Sequence, residues 1–112
     1  GWHRLGLRQD TPRPQDPVAA LDVSVLGEHL LQPILGIVDV RRDSRIDFAG
    51  GADGLAALER AVDGGAAAVA FALYPTSLRD LMAIADRGLM MPPKSTWFDP
   101  KLADGLVTYP FF

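Results

Sequence analysis

The sequence predicts a two-layer α/β fold, with a mixed sheet of about four short strands and about three helices in β-α-β-α-β-α-β order. Some segments alternate apolar side chains, which is typical of strands, and others space them three or four residues apart, which is typical of helices. The two kinds of segment follow each other in turn along the chain, although an α+β arrangement stays open. With 112 residues, we expect a single domain over 1–112.

Four segments are predicted as strands: residues 2–9, 45–48, 67–73 and 105–109. The clearest is 67–73, where Val69, Phe71 and Leu73 alternate with alanines. Because both faces of this segment are apolar, we expect a central strand that is covered on both sides. The chain from Arg45 to Leu73 is expected to form a right-handed parallel crossover.

The first two helices are predicted from apolar spacing and from the residues that end them. The first covers 18–31, and Pro33 should stop it by Leu31 or Gln32. The second runs through Val62 after Asp53 as its N-cap, and the glycine pair 64–65 should end it in a left-handed cap.

The third helix is predicted to open at Ser77 and to end at Gly88. Ser77 and Asp80 have the spacing of a capping box, with aspartate in place of the usual glutamate. Its apolar stripe has the helical i, i+3, i+4, i+7 spacing and consists of Leu78, Leu81, Met82 and Ala85.

Composition argues against several classes of protein. The formal net charge of −3 opposes nucleic-acid binding, and no apolar run reaches the roughly 18 residues of a membrane span. The start resembles no secretory signal, so we expect a cytoplasmic protein. The absence of cysteine excludes disulfides and thiol nucleophiles, and the two histidines do not form a His-x-x-x-His pair. We therefore expect no metal and no cofactor.

Two further motifs have some features of a binding or catalytic site. The glycine-rich turn after Phe48 could cradle a phosphate, but a dinucleotide pattern needs glycine at Ala49, and Asp53 would repel an anion. Ser24 and His29 lie five residues apart on different helix faces, which is the wrong geometry for a nucleophile and its base. We interpret the first as a tight turn and His29 as structural.

The strongest candidate site is the proline-rich loop, residues 91–101, which holds three prolines, two lysines, two hydroxyls and two aromatics. Prolines restrict the backbone, so the loop should be stiff and should hold its polar groups in place. An ammonium and two hydroxyls suit an anionic small molecule. The predicted substrate-binding residues are Lys94, Ser95, Thr96 and Trp97, with Arg45, Asp47 and Lys101 as further members.

Four blocks carry a resemblance to a known family: LDVSVL at 21–26, RIDFAGG at 45–51, AFALYPT at 70–76 and MPPKSTWFDPKL at 91–102. In this order and spacing, the chain resembles the C-terminal part of the bacterial domain-of-unknown-function family 1015 over nearly its whole length. The resemblance implies a larger cytoplasmic protein whose N-terminal part is a partner of this chain. It implies no reaction, so no catalytic residue is carried over.

Two functional hypotheses remain open, and whether the protein is an enzyme is open with them. In the first, the chain is a C-terminal fragment that contributes the proline-rich loop to a site for an anionic small molecule. In the second, it is a non-catalytic docking or oligomerisation module, because residues 107–112 are apolar and no complete catalytic set is found. The partners are then the N-terminal part of the same protein or another copy in a homo-oligomer, and neither nucleic acid nor a membrane.

Overall fold

The computed structural model describes residues 1–50 and 52–96. Within them lie α1 at Asp22–Leu26, a π-helix at Gly27–Leu31, α2 at Gly54–Asp63 and α3 at Leu78–Asp86. In this part of the chain, no helix is long and apolar enough to cross a bilayer.

The predicted α/β fold is wrong, because residues 1–50 and 52–96 contain no β-strand and therefore no sheet. The segments 2–9, 45–48 and 67–73 are not paired, and the predicted strand at 105–109 lies outside the described residues. A strand exists only where a neighbour pairs with its backbone groups, and an alternating pattern does not supply that neighbour. Instead, the Ile46 amide donates locally to the Asp43 carbonyl over 3.3 Å. The predicted parallel crossover is wrong for the same reason.

The first helical segment is shorter and less regular than predicted. The Asp16 carboxylate accepts from the amides of Val18 and Ala19 at 2.9 Å each, and this turn occupies residues that the prediction made helical. The α-helix starts only at Asp22 and changes to a π-helix at Gly27, a residue whose low helix propensity eases the departure from α geometry. The predicted end before Pro33 is confirmed.

The second helix begins and ends within one residue of the predicted positions. It follows Asp53, although the Asp53 side chain makes no capping hydrogen bond. At the other end, Gly65 has a φ of 75°, and a Cβ on Gly64 would lie 2.9 Å from the Arg60 carbonyl oxygen. Both glycines are therefore required by the backbone, as the predicted left-handed cap implies.

The third helix confirms the predicted capping. The Ser77 hydroxyl accepts from the Asp80 amide at 3.1 Å and lies 2.6 Å from the Asp80 carboxylate. Gly88 ends the helix with a φ of 64°, and the Leu89 amide donates back to the Ile84 carbonyl at 3.1 Å.

The chain divides into two compact units. Unit 1 contains Gly1–Ile46 and Leu73–Ser95, and the described residues of unit 2 are 47–50, 52–72 and 96. Among the described residues, the buried apolar side chains belong to unit 1, and they are Leu21, Leu31, Ile37 and Ile84. The expectation of a single domain over 1–112 stays a prediction, since a compact unit is not necessarily a domain that folds alone.

Candidate functional site

The proline-rich loop forms a turn at Pro93 and Lys94. Lys94 has a φ of 59°, and a proline followed by a residue of positive φ is the pattern of a type II turn. The Ser95 hydroxyl donates to the Pro92 carbonyl at 2.6 Å, so its proton is used inside the turn. The Thr76 hydroxyl donates to the Ser95 carbonyl at 3.0 Å, which ties the turn to the chain just before α3.

Lys94 lies at the tip of this turn. Its side chain is exposed, and it forms no ion pair with a described residue. A left-handed backbone costs a residue other than glycine about 1 kcal/mol or more. The hydrogen bonds of Ser95 and Thr76 help to hold the turn in spite of that cost.

Arg45 has a structural role that was not predicted. Its Nε and Nη2 donate to the two Asp43 carboxylate oxygens at 2.9 and 2.6 Å, and its Nη1 and Nη2 donate to the carbonyls of Leu35 and Gly36 at 3.0 and 3.2 Å. These bonds fasten the loop of Arg45 to the segment that follows the π-helix. The guanidinium is thus directed to Asp43 and to backbone carbonyls rather than to the proline-rich loop.

The ion pair between Arg45 and Asp43 also shifts the pKa values of both side chains. The side-chain hydrogen bond from Arg45, followed by the bond from its backbone amide, lowers the pKa of Asp43 to about 2. The same side-chain bond raises the pKa of Arg45. Both groups are therefore charged at neutral pH, and the pair is a bidentate Arg–carboxylate contact.

We expect this pair to contribute to stability at neutral pH and to lose its contribution in acid. The pKa of Asp43 is lowered from 3.8 to about 2, so the folded state gains stability above pH 3.8 and loses that gain as the pH falls through about 2. The urea midpoint of unfolding, measured between pH 5 and pH 2, should therefore fall less steeply with acidification in Asp43→Asn than in the unsubstituted chain.

Asp39→Asn is the matched control for that measurement. Asp39 also accepts from a backbone amide two residues on, but its ion pair with Arg42 spans 3.8 Å between exposed side chains. This variant should keep the original dependence on pH. Identical acid profiles for the Asp43 variant and the unsubstituted chain would contradict the assignment.

The remaining predicted site residues lie partly in unit 2 and partly outside the described residues. Asp47 is exposed, and its carboxylate accepts from the Phe48 amide at 2.8 Å. Thr96 is exposed and, like Asp47, belongs to unit 2, whereas Lys94, Ser95 and Arg45 belong to unit 1. Trp97 and Lys101 lie outside the described residues. The anion-binding role of the set stays a prediction.

The sequence predicts an apolar stripe on α3, but it does not predict that part of this stripe is exposed to solvent. The residues of the predicted apolar stripe, Leu78, Leu81, Met82 and Ala85, are here named the α3 stripe. Leu78 is 70% and Met82 57% exposed, whereas Ile84 on another face of the helix is 1% exposed. Periodicity locates an apolar stripe on a helix, but it does not reveal what covers that stripe.

The chain on either side of α3 extends this surface. Tyr74 is 74% exposed and Met90 is 84% exposed. An exposed apolar surface of this kind is a typical protein-binding feature. In residues 1–50 and 52–96, no cluster of histidine, aspartate or glutamate has the arrangement of a metal site.

No family model, curated protein or solved structure matches this chain. The resemblance to family 1015 therefore stays a prediction.

Proposed function

We propose that the chain is a non-catalytic docking module and that the α3 stripe is its contact surface. The observation that carries this proposal is the exposure of Leu78 and Met82 on a helix that is anchored on another face by the buried Ile84. Apolar side chains are stabilised by leaving water, at about 25 cal/mol per Å². A partner that covers the stripe would provide that stabilisation.

The construction of α3 supports this role. The helix starts at a capped residue, Ser77, and ends at Gly88, whose positive φ stops it. Thr76 joins its N-terminal side to the proline-rich loop through the bond to the Ser95 carbonyl. The stripe is thus presented on an element whose ends are both held, which lowers the conformational entropy lost on binding.

The interactions of the polar groups weigh against the anion-binding hypothesis. Arg45 directs its donors to Asp43, Leu35 and Gly36, and the Ser95 hydroxyl donates within its own turn. Of the described cations proposed for the site, Lys94 alone forms no ion pair with a described residue. A single exposed ammonium provides weak recognition of an anion, because water competes for it.

The oxidation of Met82 by a short pulse of hydroxyl radicals, measured by mass spectrometry, tests the docking proposal. The Met82 side chain is 57% exposed in a single chain. In concentrated protein, we expect it to react severalfold more slowly than this exposure would allow without a partner. The urea-unfolded chain provides the reference rate. Leu78→Lys should restore the reactivity of Met82, because a charge on the stripe opposes burial.

Leu55→Lys is the matched control, since Leu55 is an exposed leucine near the start of α2 and lies outside the α3 stripe. It should leave the reactivity of Met82 unchanged. Full reactivity of Met82 at every concentration would reject the docking proposal. Protection that requires added phosphate and disappears in Lys94→Ala would favour the anion-binding loop instead.

A further inference from the structure

We infer that the partner of the α3 stripe is a second copy of this chain, bound through an antiparallel pair of α3 helices about a two-fold axis. This inference rests on the proposed docking function and names its partner. It is carried by the positions of two charges, Arg79 and Asp86, relative to the stripe.

Arg79 and Asp86 lie along one edge of the α3 stripe. They are seven residues apart, which is close to two helical turns, so they lie on the same side of the helix. Met82 is three residues after Arg79 and four before Asp86, and therefore lies between them on the surface. Along this edge, a positive, an apolar and a negative side chain therefore follow one another.

An antiparallel pair makes this order complementary to itself. Two antiparallel helices place the same edge of each stripe side by side, and the two-fold axis reverses its direction. Arg79 then faces Asp86 of the partner copy, and Asp86 faces Arg79 of the partner copy, with Met82 near the axis. A parallel pair would place this edge against the opposite one, where Leu81 and Ile84 lie, so Arg79 and Asp86 would not face each other across the pair.

The helix itself gains nothing from these two charges. The positive end of the helix macrodipole is at the N-terminus, where Arg79 lies, and the negative end is at the C-terminus, where Asp86 lies. Both charges oppose the dipole. Asp80 in the first turn and Arg87 at the C-cap already have the favourable signs. A partner copy would give Arg79 and Asp86 the stabilising neighbours that their own helix lacks.

The residues beside α3 enlarge the same contact. Tyr74 precedes the helix and Met90 follows it, and both are well exposed. Antiparallel pairing brings the start of one helix to the end of the other, so Tyr74 approaches Met90 of the partner copy. A methionine sulfur beside an aromatic ring is a favourable contact. Since α3 is only 9 residues long, the contact is small and the dimer weak and transient.

Sedimentation velocity of the chain over a concentration series tests this inference through charge reversal. Arg79→Glu alone and Asp86→Lys alone should each weaken the dimer, by roughly tenfold at low salt, because each reversal turns two attractions into repulsions. The double variant should recover the dimer. A mixture of the two single variants should form a mixed dimer, because both of its charge pairs are attractive.

The design separates association from folding, since each single reversal agrees with the helix macrodipole and should leave the helical circular dichroism intact. A dimer that is indifferent to the reversals, or a mixture that stays monomeric, would overturn the antiparallel pairing. A strict monomer in which Met82 is still protected from radicals would overturn self-association and would show that the α3 stripe is covered from within the same chain. A strict monomer with Met82 fully reactive would overturn both.

Discussion

Replacing Ile84 with alanine should lower the free energy of unfolding by about 2–5 kcal/mol, the largest effect that we expect from a single substitution. Ile84 is 1% exposed and is the most deeply buried large side chain among the described residues. Its truncation removes apolar contacts and leaves a cavity that the neighbouring side chains fill only in part. The loss is a large fraction of the 5–15 kcal/mol that is typical of native proteins.

Urea unfolding followed by circular dichroism measures this loss, at a protein concentration low enough to keep the chain monomeric. Ile34→Ala is the matched control, because Ile34 is also in unit 1 and is 71% exposed. The control should change stability by no more than about 0.5 kcal/mol. Equal losses in the two variants would show that Ile84 does not anchor α3.

The second large effect is expected at the start of the same helix. Ser77→Ala should lower stability by about 1 kcal/mol, because the Asp80 amide loses its hydrogen-bond acceptor. The Asp80 carboxylate also loses its contact with the Ser77 hydroxyl at 2.6 Å. Fraying of the first turn should release Leu78 and so weaken any association through the α3 stripe.

Ser77→Thr is the control for that substitution, since threonine also provides a capping hydroxyl and ranks only slightly below serine at this position. Thermal unfolding of the three chains compares them directly. If the alanine and threonine variants had the same midpoint, the cap would contribute nothing and the prediction would be wrong.

The boundaries of α2 and α3 could be predicted because they depend on residues close together in sequence. The Ser77–Asp80 cap and the positive φ of Gly65 and Gly88 follow from local hydrogen bonding and from the freedom of glycine. The turn at Pro93 is of the same kind, because proline restricts its own backbone. No distant partner is needed for any of these features.

The predicted strands failed because a strand requires a distant partner. The segment 67–73 has the apolar alternation of a buried strand, yet the described chain pairs it with no neighbour. The anion-binding role of Arg45 stays a prediction, but the hydrogen bonds of this residue likewise depend on groups elsewhere in the chain. Its residue type suits an anion, but its donors instead reach Asp43 and two backbone carbonyls, at Leu35 and Gly36.

The sequence by itself thus determined where α2 and α3 begin and end, where the backbone must turn, and that cysteine chemistry is absent. Only the tertiary structure decided that Ile84 is buried while Leu78 and Met82 are exposed, and that Arg45 serves the fold. The physical reason is the range of the interactions. Caps and turns act within a few residues, whereas burial and pairing depend on groups that the fold brings together from elsewhere in the chain.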